Sequence, residues 1–261
     1  MNEIYTMGID VGSTASKCII LKNGKEIIDK SLVDVGAGTS GPERAITAVL
    51  NSTNLEMKDM AYVMSTGYGR HTIEAAHSEM SELSCHARGA YFQFPKVRTI
   101  IDIGGQDAKV MLLDDDGILE NFVMNDKCSA GTGRFLDVMA RALEVKIEDL
   151  ERLSAQSQKD ITISSTCTVF AESEVISQLA MKTDRRDIIR GIHRSIASRV
   201  SALARRIGLV DDVVMTGGVA QNGGVLLALE EELGHKIYTS DLAQYNGALG
   251  AALFAYQKNI T

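Results

Sequence analysis

The chain reads as a duplicated α/β protein: two related subdomains, each opening on three strands. An internal repeat is the main reason. Ile9-Asp-Val-Gly-Ser-Thr-Ala-Ser-Lys17 and the apolar run after it return as Ile101-Asp-Ile-Gly-Gly-Gln-Asp-Ala-Lys109 and another apolar run. Asp10 aligns with Asp102, Gly12 with Gly104 and Lys17 with Lys109. Each copy then meets a turn, Lys22-Asn23-Gly24 or Asp114-Asp115-Asp116-Gly117, and a further apolar stretch. Asn-Gly and Asp-Gly between apolar runs are the strongest short-range hairpin signals. Finally, Gly-rich turns close several predicted strands just ahead of helical patterns, the alternation expected of an α/β fold.

Taken in order, residues 4–33 predict three strands and 35–41 a loop. Pro42 suits the first turn of a helix reaching to about Asn51. A strand over 61–65 runs into Thr66-Gly-Tyr-Gly69, and 79–92 predict a helix. Pro95 marks a boundary, which predicts one subdomain from 1–95 plus about 243–261 and a second from 96–242. The second half predicts strands at 98–103, 108–113 and 118–124, a loop over 125–133 and a helix to about Leu143. A short strand at 161–164 precedes helices at 169–181 and 184–207, the latter with Ile188, Ile189, Ile192, Ile196 and Val200 on one face. The run Val213-Val-Met215 predicts a buried strand. It leads through Thr216-Gly217-Gly218-Val219-Ala-Gln-Asn222 into a helix, and a small-residue helix over 245–256 follows.

Apolar residues make up 45% and charged residues 23%, as in soluble globular proteins. A net charge of −7 argues against a nucleic-acid footprint. No apolar run approaches the roughly 18–20 residues of a membrane helix. Met-Asn-Glu-Ile-Tyr at the start lacks the pattern of a secretory signal. A cytoplasmic protein is expected, so its four cysteines are expected to be free, metal-bound or redox-active rather than in structural disulfides.

A Gly turn at a strand end can hold phosphate oxygens on its backbone N–H groups, and an adjacent Asp can meet a cation. No P-loop string is present, and no Gly-x-Gly-x-x-Gly opens a helix in a βαβ unit. Instead, Asp-Val-Gly-Ser-Thr at 10–14, Asp-Ile-Gly-Gly-Gln at 102–106 and Thr-Gly-Gly-Val at 216–219 occur in that order. They resemble the phosphate-1, phosphate-2 and adenosine motifs of the superfamily of actin, sugar kinases and heat-shock chaperone ATPases. That resemblance implies two domains with an ATP cleft between them. It implies that Gly12, Ser13, Thr14, Gly104 and Gly105 donate N–H groups to phosphate, with Ala15 and Ser16 in the first turn. Asp10 and Asp102 would hold Mg2+ through water, and Gln106 would orient the attacking water. Lys17 has two readings, a phosphate counter-charge or a solvated surface lysine. Gly217 and Gly218, with Val219, Gln221, Asn222 and Gln244, would meet the nucleoside, and Gly131 and Thr132 would join the nucleotide contacts.

Cys128 and Cys167 both precede predicted helices, where partial positive charge and N–H groups stabilise a thiolate. Cys18 opens an apolar strand and Cys85 lies within a helix, so both read as structural. A 4Fe–4S cluster takes four thiolates. One chain offers two well-placed ones, and a two-fold dimer would supply four. Their 38-residue separation does not by itself establish such a cluster.

The strings Ser-Thr-Gly-Tyr-Gly-Arg, Glu-Leu-Ser-Cys-His-Ala-Arg-Gly, Asn-Asp-Lys-Cys-Ser-Ala-Gly-Thr-Gly-Arg-Phe and Ser-Ser-Thr-Cys-Thr-Val-Phe-Ala-Glu-Ser-Glu, with the two repeat strings, resemble the activator ATPases of (R)-2-hydroxyacyl-CoA dehydratases. They are most like members serving 2-hydroxyglutaryl-CoA, and are similar more distantly to the ATPase subunits of benzoyl-CoA reductase. The resemblance covers essentially the whole chain. It implies an oxygen-sensitive homodimer of anaerobic amino-acid fermentation, bridged by one 4Fe–4S cluster on Cys128 and Cys167 of each chain. It also implies reduction by a ferredoxin or flavodoxin and ATP-dependent delivery of one electron to the dehydratase component. About 59 mV of one-electron potential corresponds to about 1.4 kcal/mol, so ATP would supply several kcal/mol of drive. A small-molecule kinase of the same fold is the rival reading, and it would leave both cysteines without a role.

Overall fold

The computed structural model describes residues 3–125, 127–164 and 166–260; Asp126, within the predicted 125–133 loop, and Ser165, within the string around Cys167, lie outside them. The chain divides into two units. The first comprises Met1–Lys96, Leu113–Leu119 and Gln244–Thr261; the second comprises Val97–Leu112 and Glu120–Ala243.

The first unit opens with β1 (Tyr5–Val11), β2 (Ser16–Lys22) and β3 (Glu26–Val33), followed by α1 (Gly41–Thr53), β4 (Met60–Thr66), β5 (Ser78–Glu79) and α2 (Glu82–Gln93). Its sheet has the order β3-β2-β1-β4-β5, with β1 antiparallel to β2 and parallel to β4. Parallel neighbours need a crossover, and α1 supplies it.

The second unit contains β6 (Thr99–Ile103), β7 (Ala108–Leu113), β8 (Leu119–Asn125), α3 (Gly133–Ala142), α4 (Leu150–Ser154), α5 (Thr168–Ala180), α6 (Arg185–Ile207), β9 (Val213–Thr216), α7 (Gly223–Leu233) and β10 (Ile237–Tyr238). The sheet order β10-β9-β6-β7-β8 repeats the first, with β6 antiparallel to β7 and parallel to β9. Both opening strands are therefore central, and β6 is buried along its whole length, which suits the apolar Ile100, Ile101 and Ile103. Phe135 and Met139 of α3 and Ile188, Ile192 and Ile196 of α6 pack with Ile101 and Ile103 in one core. Burial of each such side chain stabilises the fold by about 1.5–3 kcal/mol.

The last helix, α8 (Asn246–Ile260), belongs to the first unit. It lies at backbone contact with its neighbours: a Cβ at Gly8 of β1 would run into Ala248 O, and one at Gly250 into Cys85 O. The small residues of the tail make that approach feasible.

Residues 161–164 do not form the expected strand. Polar groups in and around this stretch are taken by α6 instead. The Ser195 hydroxyl donates to Ser164 O at 3.0 Å, and the Asp187 carboxylate accepts the N–H groups of Gln158 and Lys159 at 2.7 and 3.0 Å. With partners of that kind a segment stays extended without a ladder. Among the described residues no helix is long and apolar enough to cross a membrane.

Candidate functional site

Asp10 stands near the end of β1, opposite Lys17 across the antiparallel pair, and Asp102 stands opposite Lys109 in the same way. The Lys17 ammonium lies 3.1 Å from Asp10 Oδ2. With its side chain 14% exposed, Lys17 is not a solvated surface lysine. Lys109 is almost fully buried, 3.6 Å from Asp102 Oδ2 and 2.7 Å from Asp107 Oδ2. A buried ammonium is tolerated only when paired in this manner. On its other side Asp102 faces β9, where Thr216 Oγ1 donates to Asp102 Oδ1 at 2.8 Å.

The turns after these strands close alike. Gly12 N–H donates to Ala15 O at 3.0 Å, and Gly104 N–H to Asp107 O at 2.9 Å. This corrects the expectation for both glycines, whose N–H groups hold the turn instead of facing a ligand. The N–H groups of Ser13, Thr14, Gly105 and Gln106 have no backbone acceptor among the described residues. Ser13, Thr14 and Gln106 are exposed. Ala15 and Ser16 are buried, and the Ser16 hydroxyl donates to Val35 O at 2.9 Å. The turn carbonyls are also held: Gly12 O accepts from Ala37 N at 2.9 Å, Gly104 O from Gly133 N at 2.9 Å, and Gly105 O from Arg134 N at 2.8 Å.

The duplication extends to a third position that sequence reading missed. Thr66 is the register partner of Asp10, Thr216 is the register partner of Asp102, and each is followed by glycine. Gly67 and Gly217 share φ = +87°. A Cβ at Gly67 would run into Asp10 Oδ1, and one at Gly217 into Ile103 O. Glycine is needed twice over at these positions, for the dihedral and for the approach. A Thr-Gly pair closing an apolar strand in both halves was the available signal.

Beyond Gly217, Gly218 and Gln221 are exposed and Val219 is buried. The Asn222 side chain accepts from Gly224 N and Val225 N at 3.0 and 3.2 Å, so it caps α7. Its amide also lies 3.3 Å from Nε2 of His193. Gln244 belongs to the first unit. Burial pushes His193 down to about pH 4 from an ordinary 6.5. Between those values the unfolded chain binds more protons, so stability falls as pH drops through the window and is unaffected above it. Lowering pH from 7 to 5 should cost about 2 kcal/mol through this residue. Thermal unfolding of His193→Gln should show that much less acid sensitivity; an unchanged profile would contradict it.

Cys167 is the N-cap of α5, with extended dihedrals of −153° and 142°. Cys128 is less close to its helix than expected, because Thr132 caps α3 and residues 129–132 intervene. Gly131 and Thr132 build that connection. Thr132 is fully buried, and its hydroxyl donates to Ser129 O at 2.7 Å. The hydroxyls of Ser129 and Thr168, each directly after a cysteine, lie 2.9 Å apart, so the two cysteine loops meet within one unit. Both thiols are half-buried. Cys18 and Cys85 are fully buried, and burial raises both thiols, Cys85 to about 12. Each chain thus has two half-buried cysteines in loops that touch, and two fully buried ones.

Residues 7–255 match the sequence profile of the BadF/BadG/BcrA/BcrD ATPase family. The chain belongs to that family. It is 67% identical over 257 residues to the (R)-2-hydroxyglutaryl-CoA dehydratase activating ATPase of Acidaminococcus fermentans, covering 98% of each chain. The activator of the 2-hydroxyisocaproyl-CoA dehydratase from Clostridium difficile, solved with bound ADPNP, superposes with a TM-score of 0.97 at 53% identity, over 98% of this chain and 96% of that one. A ROK family glucokinase from Streptomyces griseus reaches a TM-score of 0.60 at 16% identity, over 97% of this chain and 99% of that one, a likeness of fold alone. As a BadF/BadG/BcrA/BcrD family ATPase, the chain has the duplicated fold of the actin and sugar-kinase class.

Proposed function

We propose that this ATPase is the activator of a 2-hydroxyacyl-CoA dehydratase, the 2-hydroxyglutaryl-CoA system first, and that it delivers one electron at a time at the expense of ATP. The supporting observation is the Ser129–Thr168 contact, which gathers two accessible cysteines beside a phosphate-type turn in the same unit. Cys128 and Cys167 of two copies would hold one 4Fe–4S cluster per dimer, which supplies a low-potential one-electron centre when bound.

The remaining work falls to the chain's own groups. The N–H groups of Ser13, Thr14, Gly105 and Gln106 cradle the phosphates. Asp10 and Asp102, oriented by Lys17, Lys109 and Thr216, keep further lone pairs for the water shell of Mg2+. Gln106, exposed at its turn, orients the attacking water, so that ATP and water give ADP and phosphate. Gly217 and Gly218 let the backbone approach the nucleoside, with Gln221 and Gln244 as further contacts. A ferredoxin or flavodoxin supplies the electron, the dehydratase component receives it, and the setting is cytoplasmic and anaerobic. A kinase reading gives the paired cysteines nothing to do.

The test mixes the anaerobically reduced chain with a 2-hydroxyglutaryl-CoA dehydratase. With ATP, the chain should be oxidised and the dehydratase activated; with ADP, neither should happen. Equal electron delivery with both nucleotides would overturn the ATP-driven reading.

A further inference from the structure

An unbroken run of hydrogen bonds joins the turn after β6 to both cysteine loops, all inside the second unit. Gly104 O and Gly105 O accept the N–H groups of Gly133 and Arg134, which fixes the start of α3 to the turn. One residue earlier, Thr132 directs both its N–H, at 3.1 Å, and its hydroxyl, at 2.7 Å, to Ser129 O. The side-chain amide of Asn125 braces the same loop on Cys128 O and Ala130 O, at 2.8 and 3.2 Å. The Ser129 hydroxyl then meets Thr168 Oγ1.

We propose that Ser129 and Thr168 are positioning residues that carry the nucleotide state of the Gly104-Gly105 turn from the Cys128 loop to Cys167. This deepens the ATP-driven reading above and rests on it.

A second route ends near Cys167. Along α6, His193 lies against Asn222, Ser195 donates to Ser164 O, and Arg199 Nη1 reaches Thr166 O at 3.5 Å. The two routes sense different things. A ligand shifts an equilibrium only by its differential affinity. ATP and ADP differ at the γ-phosphate, so a relay that begins at the phosphate turn distinguishes them. The α6 route begins at the turn proposed to meet the nucleoside, a part the two nucleotides share. Only the first route needs the Thr168 hydroxyl.

The full-length chain, freed of iron, is alkylated in the presence of ADP, ADPNP or no nucleotide, and the rates at Cys128 and Cys167 are read by peptide mass spectrometry. In the wild type both rates should differ severalfold between ADP and ADPNP. Thr168→Val should keep that difference at Cys128 and lose it at Cys167, and Thr168→Ser should restore it. Ser129→Ala, a second route to the same break, should repeat the Thr168→Val result. A wild-type response at Cys167 in Thr168→Val, or no difference at either thiol in the wild type, would overturn the relay. Failure of the underlying reading is separately visible, as a wild-type chain that binds no cluster or hydrolyses no ATP.

Discussion

Cys128→Ser or Cys167→Ser should yield a pale, iron-poor chain, while Cys18→Ala and Cys85→Ala keep colour and iron. Cluster ligands are thiolates, and a thiol with no access to water does not ionise near neutral pH. Cys18 on β2 and Cys85 on α2 have no exposed surface, and burial holds both as neutral thiols. Cys128 and Cys167 stand in loops that touch through Ser129 and Thr168, half-open to solvent. With the two ligands per chain proposed above, anaerobic iron analysis of the wild type should give about four iron atoms per two chains. Full iron content in Cys128→Ser would remove that residue from the ligand set. Iron at four per single chain would remove the shared-cluster arrangement.

Asp102→Asn should lose at least about a hundredfold in ATP hydrolysis, the scale expected when a charge-stabilising group is removed from a reaction centre. The asparagine keeps a side-chain oxygen to accept from Thr216, and Lys109 keeps its 2.7 Å contact with Asp107, so the unit should fold. Iron content and dimerisation should be unchanged, because Lys109 and Thr216, which hold Asp102, belong to neither cysteine loop. The paired readout is ATPase rate against iron per chain. Loss of both together would show that the carboxylate supports the cluster region and not hydrolysis alone.

The repeat made the core of each sheet legible, since Asp10–Lys17 and Asp102–Lys109 sit in one register in both halves. Elements below the reach of periodicity were not: β5 and β10 are two residues each and α4 is five. The 161–164 stretch looked like a strand because its apolar residues alternate, yet its surroundings are set by Asp187 and Ser195 far along the chain. At the candidate site, residue types singled out the two turns but not the state of their individual N–H groups. Gly12 and Gly104 use their own N–H groups on carbonyls three residues on, and only geometry shows that Ser13, Thr14, Gly105 and Gln106 differ. The Thr66 and Thr216 equivalence was written in the sequence but depends on a parallel pairing that a linear alignment does not display.

The contact of α8 with Gly8 and Cys85 has a consequence for synthesis. Chains emerge N-terminus first, at about 5–20 residues per second. The first unit begins the chain, yet residues 246–260, which cover β1 and α2, are made only after residues 120–243 of the second unit. On the ribosome the earlier half must wait, its apolar surface uncovered, while the later half can close first. The unit started first is thereby the last to receive all of its residues.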